Sequence, residues 1–186
     1  GRVTLLSSRD VEFEFELAAS GAGSVRGAGL VMQDSVFMDV EAHDLNLSLA
    51  QPYIPELGGF SGLCNADLLI TGSAISPNMK GNLDIRSITL PLPTLEETIE
   101  NGMVKASFEN SIVLIDSMFA ALNGGTIFVS GNLTHAEGAL ADAALVMRVK
   151  GVTLQRESEF IVTVESADLK YQRTNSHAVL DGDVVL

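Results

Sequence analysis

The residues through which this chain might do chemistry are few and scattered. His43, His135 and His177 are far apart in sequence and lack the short spacings with which paired ligands grip zinc. Cys64 is the only cysteine, which excludes an internal disulfide framework and a cluster of several thiolates. It falls on an alternating apolar stripe, the place of a small buried hydrophobe rather than of a nucleophile. The run Gly21-Ala-Gly-Ser-Val-Arg-Gly has the glycines of a phosphate-binding loop, but its third glycine comes one place late. No helical pattern follows it and the Lys-Ser/Thr pair is missing, so it reads as a flexible strand connection. Ser7, Ser8 and Ser61 have no nucleophile-elbow context. Asp181-Gly182-Asp183 reads as a turn rather than a calcium loop. The triplets starting at Asn46 and Asn132 fit the glycosylation sequon, yet both sit within strand patterns. No clustered acid, base or nucleophile remains, so the chain reads as a non-enzyme with no catalytic residue, no metal and no cofactor.

Composition narrows the partners. Lys+Arg is 11 against Asp+Glu 24, a formal charge of −13. That balance argues against nucleic acid and against electrostatic docking on anionic headgroups. The hydrophobic fraction is 46%, ample for a core, and it is mainly aliphatic: Trp is absent and Tyr is 2, with Phe 8 and Met 6 as the bulky members. No run reaches the ~18 apolar residues of a transmembrane helix. No signal-peptide pattern opens the chain. Residues 1–186 read as one β-rich domain, and strand patterns at both ends read as a segment of a longer protein.

Strand signals must therefore position whatever function there is. Val11 to Leu17 alternates Phe13, Phe15 and Leu17 with Glu12, Glu14 and Glu16. A glycine recurs ahead of an apolar stripe: Gly62 before Cys64, Ala66, Leu68 and Ile70; Gly81 before Leu83 and Ile85; Gly102 before Val104, Ala106 and Phe108. Gly125 before Ile127 and Val129, and Gly182 before Val184, repeat it. The glycines read as strand starts, and the spacings of 19, 21 and 23 residues between Gly62, Gly81, Gly102 and Gly125 as a hairpin-like pair of strands per unit. Turns are expected at His43-Asp44, Ser76-Pro77-Asn78, Asn101-Gly102 and Asn123-Gly124-Gly125. Leu45, Leu47 and Leu49 alternate as a strand. Gln51 to Gly59 reads as one helical turn or a loop, and Thr94 with Glu97 as a capping box or a pinned loop. Pro91 and Pro93 should stop a strand. Ile112 to Ile115 is apolar on both faces, as in a strand covered on both sides. The whole predicts a large antiparallel or mixed open sheet that curls as it grows.

Side chains two apart share a strand face, so the stripes predict one continuous apolar wall. Its candidate lining residues are Phe13, Phe15, Leu68, Ile70, Leu83, Ile85, Val104, Phe108, Ile127 and Val129. About ten such residues left in water forfeit roughly 1.5–3 kcal/mol each, on the order of 15–30 kcal/mol. A domain's whole stability is ~5–15 kcal/mol. No long amphipathic helix is available as a second layer. Either the sheet closes into a sandwich, a structural or adhesive domain without ligand, or it bends into a U around apolar cargo. Ten strands at ~4.8 Å give a run of about 48 Å, long against the ~15 Å of one leaflet's hydrocarbon.

The run from Leu57 through Gly62, Cys64, Asp67 and Ile70 to Ser73, followed by Ser76-Pro-Asn-Met-Lys-Gly-Asn-Leu-Asp-Ile, resembles the glycine-punctuated units of TamB and related AsmA-like proteins. Ala120-Ala-Leu-Asn-Gly-Gly-Thr-Ile-Phe-Val-Ser-Gly-Asn-Leu is similar to another such unit. So is Val164-Glu-Ser-Ala-Asp-Leu taken with Leu180-Asp-Gly-Asp-Val. The resemblance covers roughly residues 45–186. It implies an all-β fold, a long curved open sheet folded into a U-shaped taco with a hydrophobic concave interior and one or two short helical turns. It implies a periplasmic segment of an inner-membrane-anchored protein of a diderm bacterium. The implied cargo is phospholipid acyl chains or unfolded outer-membrane protein strands, and the implied partner of the parent is a TamA-like outer-membrane barrel. The segments Gln51–Gly59 and Thr94–Asn101 depart from the family pattern as insertions that would interrupt a uniform groove. Free sheet edges would let the segment self-associate.

Overall fold

The computed structural model describes residues 1–5, 10–19, 21–53, 58–92, 97–136, 139–156, 160–174 and 177–186. These form one antiparallel sheet of twelve strands whose order in space is their order in sequence. The strands are β1 (Arg2–Leu5), β2 (Val11–Ala19), β3 (Gly23–Val31), β4 (Ser35–Asn46), β5 (Ser61–Ser73) and β6 (Pro77–Leu92). They continue as β7 (Glu97–Asn110), β8 (Ile112–Leu122), β9 (Gly125–Ala136), β10 (Ala139–Arg156), β11 (Phe160–Thr174) and β12 (His177–Val185). β1 and β12 are the free edges, so the sheet is open, and no α-helix occurs among the described residues. The all-β, curved open sheet expected from the residue pattern is the fold observed.

Alternation explains the strands, and tight connections explain their order. Met32 N–H donates to the Ser35 carbonyl at 2.8 Å, closing the β3–β4 hairpin. Asn123 (φ 41°) and Gly124 (φ 81°) form the two-residue turn between β8 and β9, as the Asn-Gly-Gly signal predicts. Antiparallel neighbours need only such short links.

Several local expectations fail, and for related reasons. His43-Asp44 is not a turn. β4 runs through it with a bulge between Ala42 and Leu45, and Asp44 takes φ 48°. The bulge is pinned from β5 and β6: Asp44 N–H donates to Asn65 Oδ1 at 3.0 Å, and Arg86 pairs with the Asp44 carboxylate. Asn101-Gly102 is likewise interior to β7, where the register with β8 slips between Glu100 and Met103. A turn-prone dipeptide inside a long strand supplies the left-handed residue of a bulge instead of ending the strand. Gly23–Val31 is a strand and not a connection, because both its neighbours pair along it. Leu47–Tyr53 is a 3₁₀ helix, so Leu47 and Leu49 leave the strand pattern and the helical turn begins earlier than Gln51. Pro91 does not end β6: it faces Thr98 near the strand's end. Of the Thr94 capping box, residues 94–96 lie outside the described residues, and Glu97 begins β7. Ile112 and Leu114 are exposed, so that strand is covered on one face only.

The glycine reading also changes. Gly62 and Gly125 open their strands, but Gly81, Gly102 and Gly182 lie inside theirs. From Gly62 to Gly81 to Gly102 the chain advances one long strand per step, not a hairpin pair. Gly81, Gly131 and Gly182 share a conformation, φ 140°, 142° and 146°, in mid-strand. A Cβ there would stand 1.9, 2.1 and 2.0 Å from the carbonyl oxygens of Asp67, Ala144 and Asp168 on the neighbouring strand. Each faces a leucine in register: Leu68, Leu145 and Leu169. Glycine kinks and bulges of this sort bend a sheet. Replacing Gly131 by Ala should lower stability by about 1–3 kcal/mol, since both the φ and the space are wrong. Gly62→Ala, whose Cβ would meet only ordinary contacts from 3.4 Å outward, serves as the control. Urea midpoints of the two variants check this; equal losses would remove the kink from the account.

Candidate functional site

In an antiparallel pair, residues directly opposite point to the same face, so register carries a face across the whole sheet. One row runs from β2 to β12 as Leu17, Val25, Ala42, Ala66, Leu83, Ala106, Ile115, Gly131, Leu145, Tyr171 and Leu180. It contains no charged side chain. The next row on the same face is Phe15, Gly27, Val40, Leu68, Gly81, Phe108, Val113, Leu133, Ala143, Arg173 and Ala178. On the other side of the first lies Cys64, Ile85, Val104, Met118, Val129, Met147, Leu169 and Gly182. Beyond it come Ala120, Ile127, Val149, Ala167 and Val184. Phe13 and Ile70 lie in a further row through Gly29 and Met38. The structure thus brings all the candidate wall residues, from Phe13 to Val129, onto one face.

Most of the buried apolar residues lie on that face: Ala42, Cys64, Ala106, Ala120, Leu122, Val129, Ala143 and Ala167, whereas Val152, also buried, lies past Gly151 (φ 65°) and outside these rows. Yet no large side chain is completely buried among the described residues, as a second packed layer would make them. The shielding comes from the wall itself, small residues shaded by larger neighbours. Phe13 and Phe15 show how: their rings stack with centroids 6.2 Å apart and lie over Gly29 and Gly27, where any Cβ would meet ring atoms at 2.9 and 2.7 Å.

The opposite face is polar. Glu16, Arg26, Glu41, Asp67, Asn82 and Ser107 form one of its rows. Directly opposed residues make three of its ion pairs: Arg26 with Glu41, Lys105 with Asp84 at 3.8 Å, and Arg148 with Asp168 at 3.3 Å. The Arg26 hydrogen bond holds the Glu41 carboxyl below the usual carboxylate range. These pairs are solvent-exposed and contribute little to stability; their effect is to mark which side faces water.

Of the other residues able to do chemistry, His43 and His177 stand on the polar face by register, while His135 stands on the apolar one beyond Leu133. Among the described residues no three His, Cys, Asp or Glu side chains gather as metal ligands. No helix among them is long and apolar enough to cross a membrane. The sequence pattern missed Met118, Met147, Leu169, Tyr171 and Arg173 as members of the wall. β11 is one strand from Phe160 to Thr174, and only its pairing shows that residues 167 to 173 continue the face. No family model, curated protein or solved structure matches the chain.

Cys64 reports on this wall. Burial, with the nearby Asp84 charge, pushes its thiol up from the ordinary value. A raised pKa means less thiolate at any pH below it. Iodoacetamide should therefore alkylate Cys64 several-fold more slowly than glutathione at pH 8, with the rate still rising above pH 9. Mass spectrometry of time points measures this; reaction at the glutathione rate would place the thiol in solvent.

Proposed function

We propose that the chain is a non-enzymatic groove segment that shelters lipid acyl chains, and that it belongs to a TamB/AsmA-like protein standing in the periplasm of a diderm bacterium. The observation that carries this is the uncharged row from Leu17 to Leu180, crossing eleven strands of an open sheet with no second layer over it among the described residues. An acyl chain has the chemistry such a wall accepts: apolar, flexible and without hydrogen-bonding needs. Twelve strands at ~4.8 Å leave a wall over 50 Å across, room for several chains side by side. In this reading the polar outer face keeps the segment in water, and the parent would hand cargo toward a TamA-like outer-membrane barrel.

A second cargo, unfolded outer-membrane protein strands, is favoured by a different feature. β12, at one margin of the sheet, has each of its residues exposed. An extended peptide binds such an edge through backbone hydrogen bonds rather than through the wall.

The test is uptake by detergent-free protein. The protein should carry phospholipid into an organic extract and should enhance the fluorescence of a dansyl fatty acid. Leu68→Asp with Val104→Asp should cut that uptake by at least tenfold while circular dichroism keeps the β signal. Absence of both extracted lipid and dye uptake in the folded parent would overturn the acyl-chain reading. Displacement of the dye by an unfolded barrel peptide, but not by fatty acid, would favour the second cargo.

A further inference from the structure

The rows traced across the apolar face hold one cation, Arg173, which lies opposite Ala143 on β10 and Ala178 on β12. The Asp residues of the same strands, Asp142, Asp168, Asp181 and Asp183, are in register on the other face. Arg173 is half-buried while Gln172 and Thr174 beside it are exposed. No ion pair joins it to a described acid. Two strands away His135 stands on the same face near the same rim, and its Nε2 is buried with no hydrogen-bond partner. Strand spacing puts the two backbones ~10 Å apart across the sheet and ~7 Å along it, a gap that an arginine side chain and one anionic group bridge together. Tyr171 is the next residue inward on β11 and adds a hydroxyl.

A guanidinium and an orphaned imidazole nitrogen set into an apolar wall are costly unless something pairs with them. We propose that Arg173 and His135 form the seat for the anionic headgroup of an acyl amphiphile. Its tail lies along β11 over Tyr171, Leu169 and Ala167. From Arg173 to Ala167 the strand offers ~20 Å of apolar wall, against ~15 Å for the hydrocarbon of one leaflet. The charge complementarity runs one way: the chain as a whole is strongly acidic, so an anion is drawn to this rim by local donors and not by the general field. The seat rests on the acyl-chain reading and refines it by fixing which end of the amphiphile goes where.

The experiment compares palmitate, hexadecyl phosphate and hexadecanol as competitors for a dansyl fatty acid, with inorganic phosphate as a headgroup without a tail. Wild type should bind both anionic amphiphiles about tenfold more tightly than the alcohol, and phosphate alone should not compete. Arg173→Gln should lose about that tenfold for the anions and leave the alcohol within twofold. Arg173→Lys should recover part of it, since the charge remains but the fork does not. His135→Gln should weaken hexadecyl phosphate with a similar sparing of hexadecanol. Equal affinity of wild type for alcohol and acids, or equal loss for both in Arg173→Gln, would overturn the seat while leaving the groove. Failure of every amphiphile to compete would overturn the groove and the seat together. A preference for hexadecyl phosphate over palmitate would name a phosphate headgroup; the reverse would name a free fatty acid.

Discussion

Direct opposition across an antiparallel ladder is the constraint on which this molecule depends. Each strand lends its face assignment to the next, because directly opposed residues, hydrogen-bonded or not, point to the same face. A slip of one residue anywhere would turn the following strands inside out and break the apolar wall. The wall nevertheless passes from Leu17 to Leu180, through bulges that locally offset the register in β4, β7 and β8. The polar face is kept in step by the same rule, with Arg26 opposite Glu41 and Arg148 opposite Asp168.

A single layer cannot gain stability as a two-layer domain does. Its buried residues are mostly alanines, with Cys64, Leu122, Val129 and Val152, and each strand is paired only with the strands before and after it. Cohesion comes from long, continuous ladders and from side chains leaning over smaller ones on the apolar face. The same economy leaves apolar surface available. In a sandwich that surface would be covered by a facing sheet; among the described residues it is not.

Bending is distributed and has residue-level causes. Gly81, Gly131 and Gly182 put their backbones against a neighbouring carbonyl where any side chain would collide. Asp44, Asn101 and Asn110 take left-handed conformations in or at the ends of strands. Such residues look like turn signals in a linear reading, since turns are where small and amide side chains most often relieve strain. In long strands they relieve a different strain, that of curving a wide sheet. This is why His43-Asp44 and Asn101-Gly102 misled the sequence reading while Asn123-Gly124 did not: only the last has two strands ready to fold back upon it.

By itself the sequence determined the all-β class, the two-faced character of the strands and most of the wall, because alternation is a property of neighbours along the chain. Phe13, Leu68, Ile85 and Val129 could be assigned to one face from that alternation alone. It could not determine where strands end, that β11 is unbroken, or that Arg173 and His135 share a rim. Those follow from pairing between strands distant in the chain, and register is fixed by the partner's backbone rather than by the residue's own neighbours. Tertiary structure alone also decided that the sheet stays open, since closure depends on how bulges and glycine kinks add up over all twelve strands.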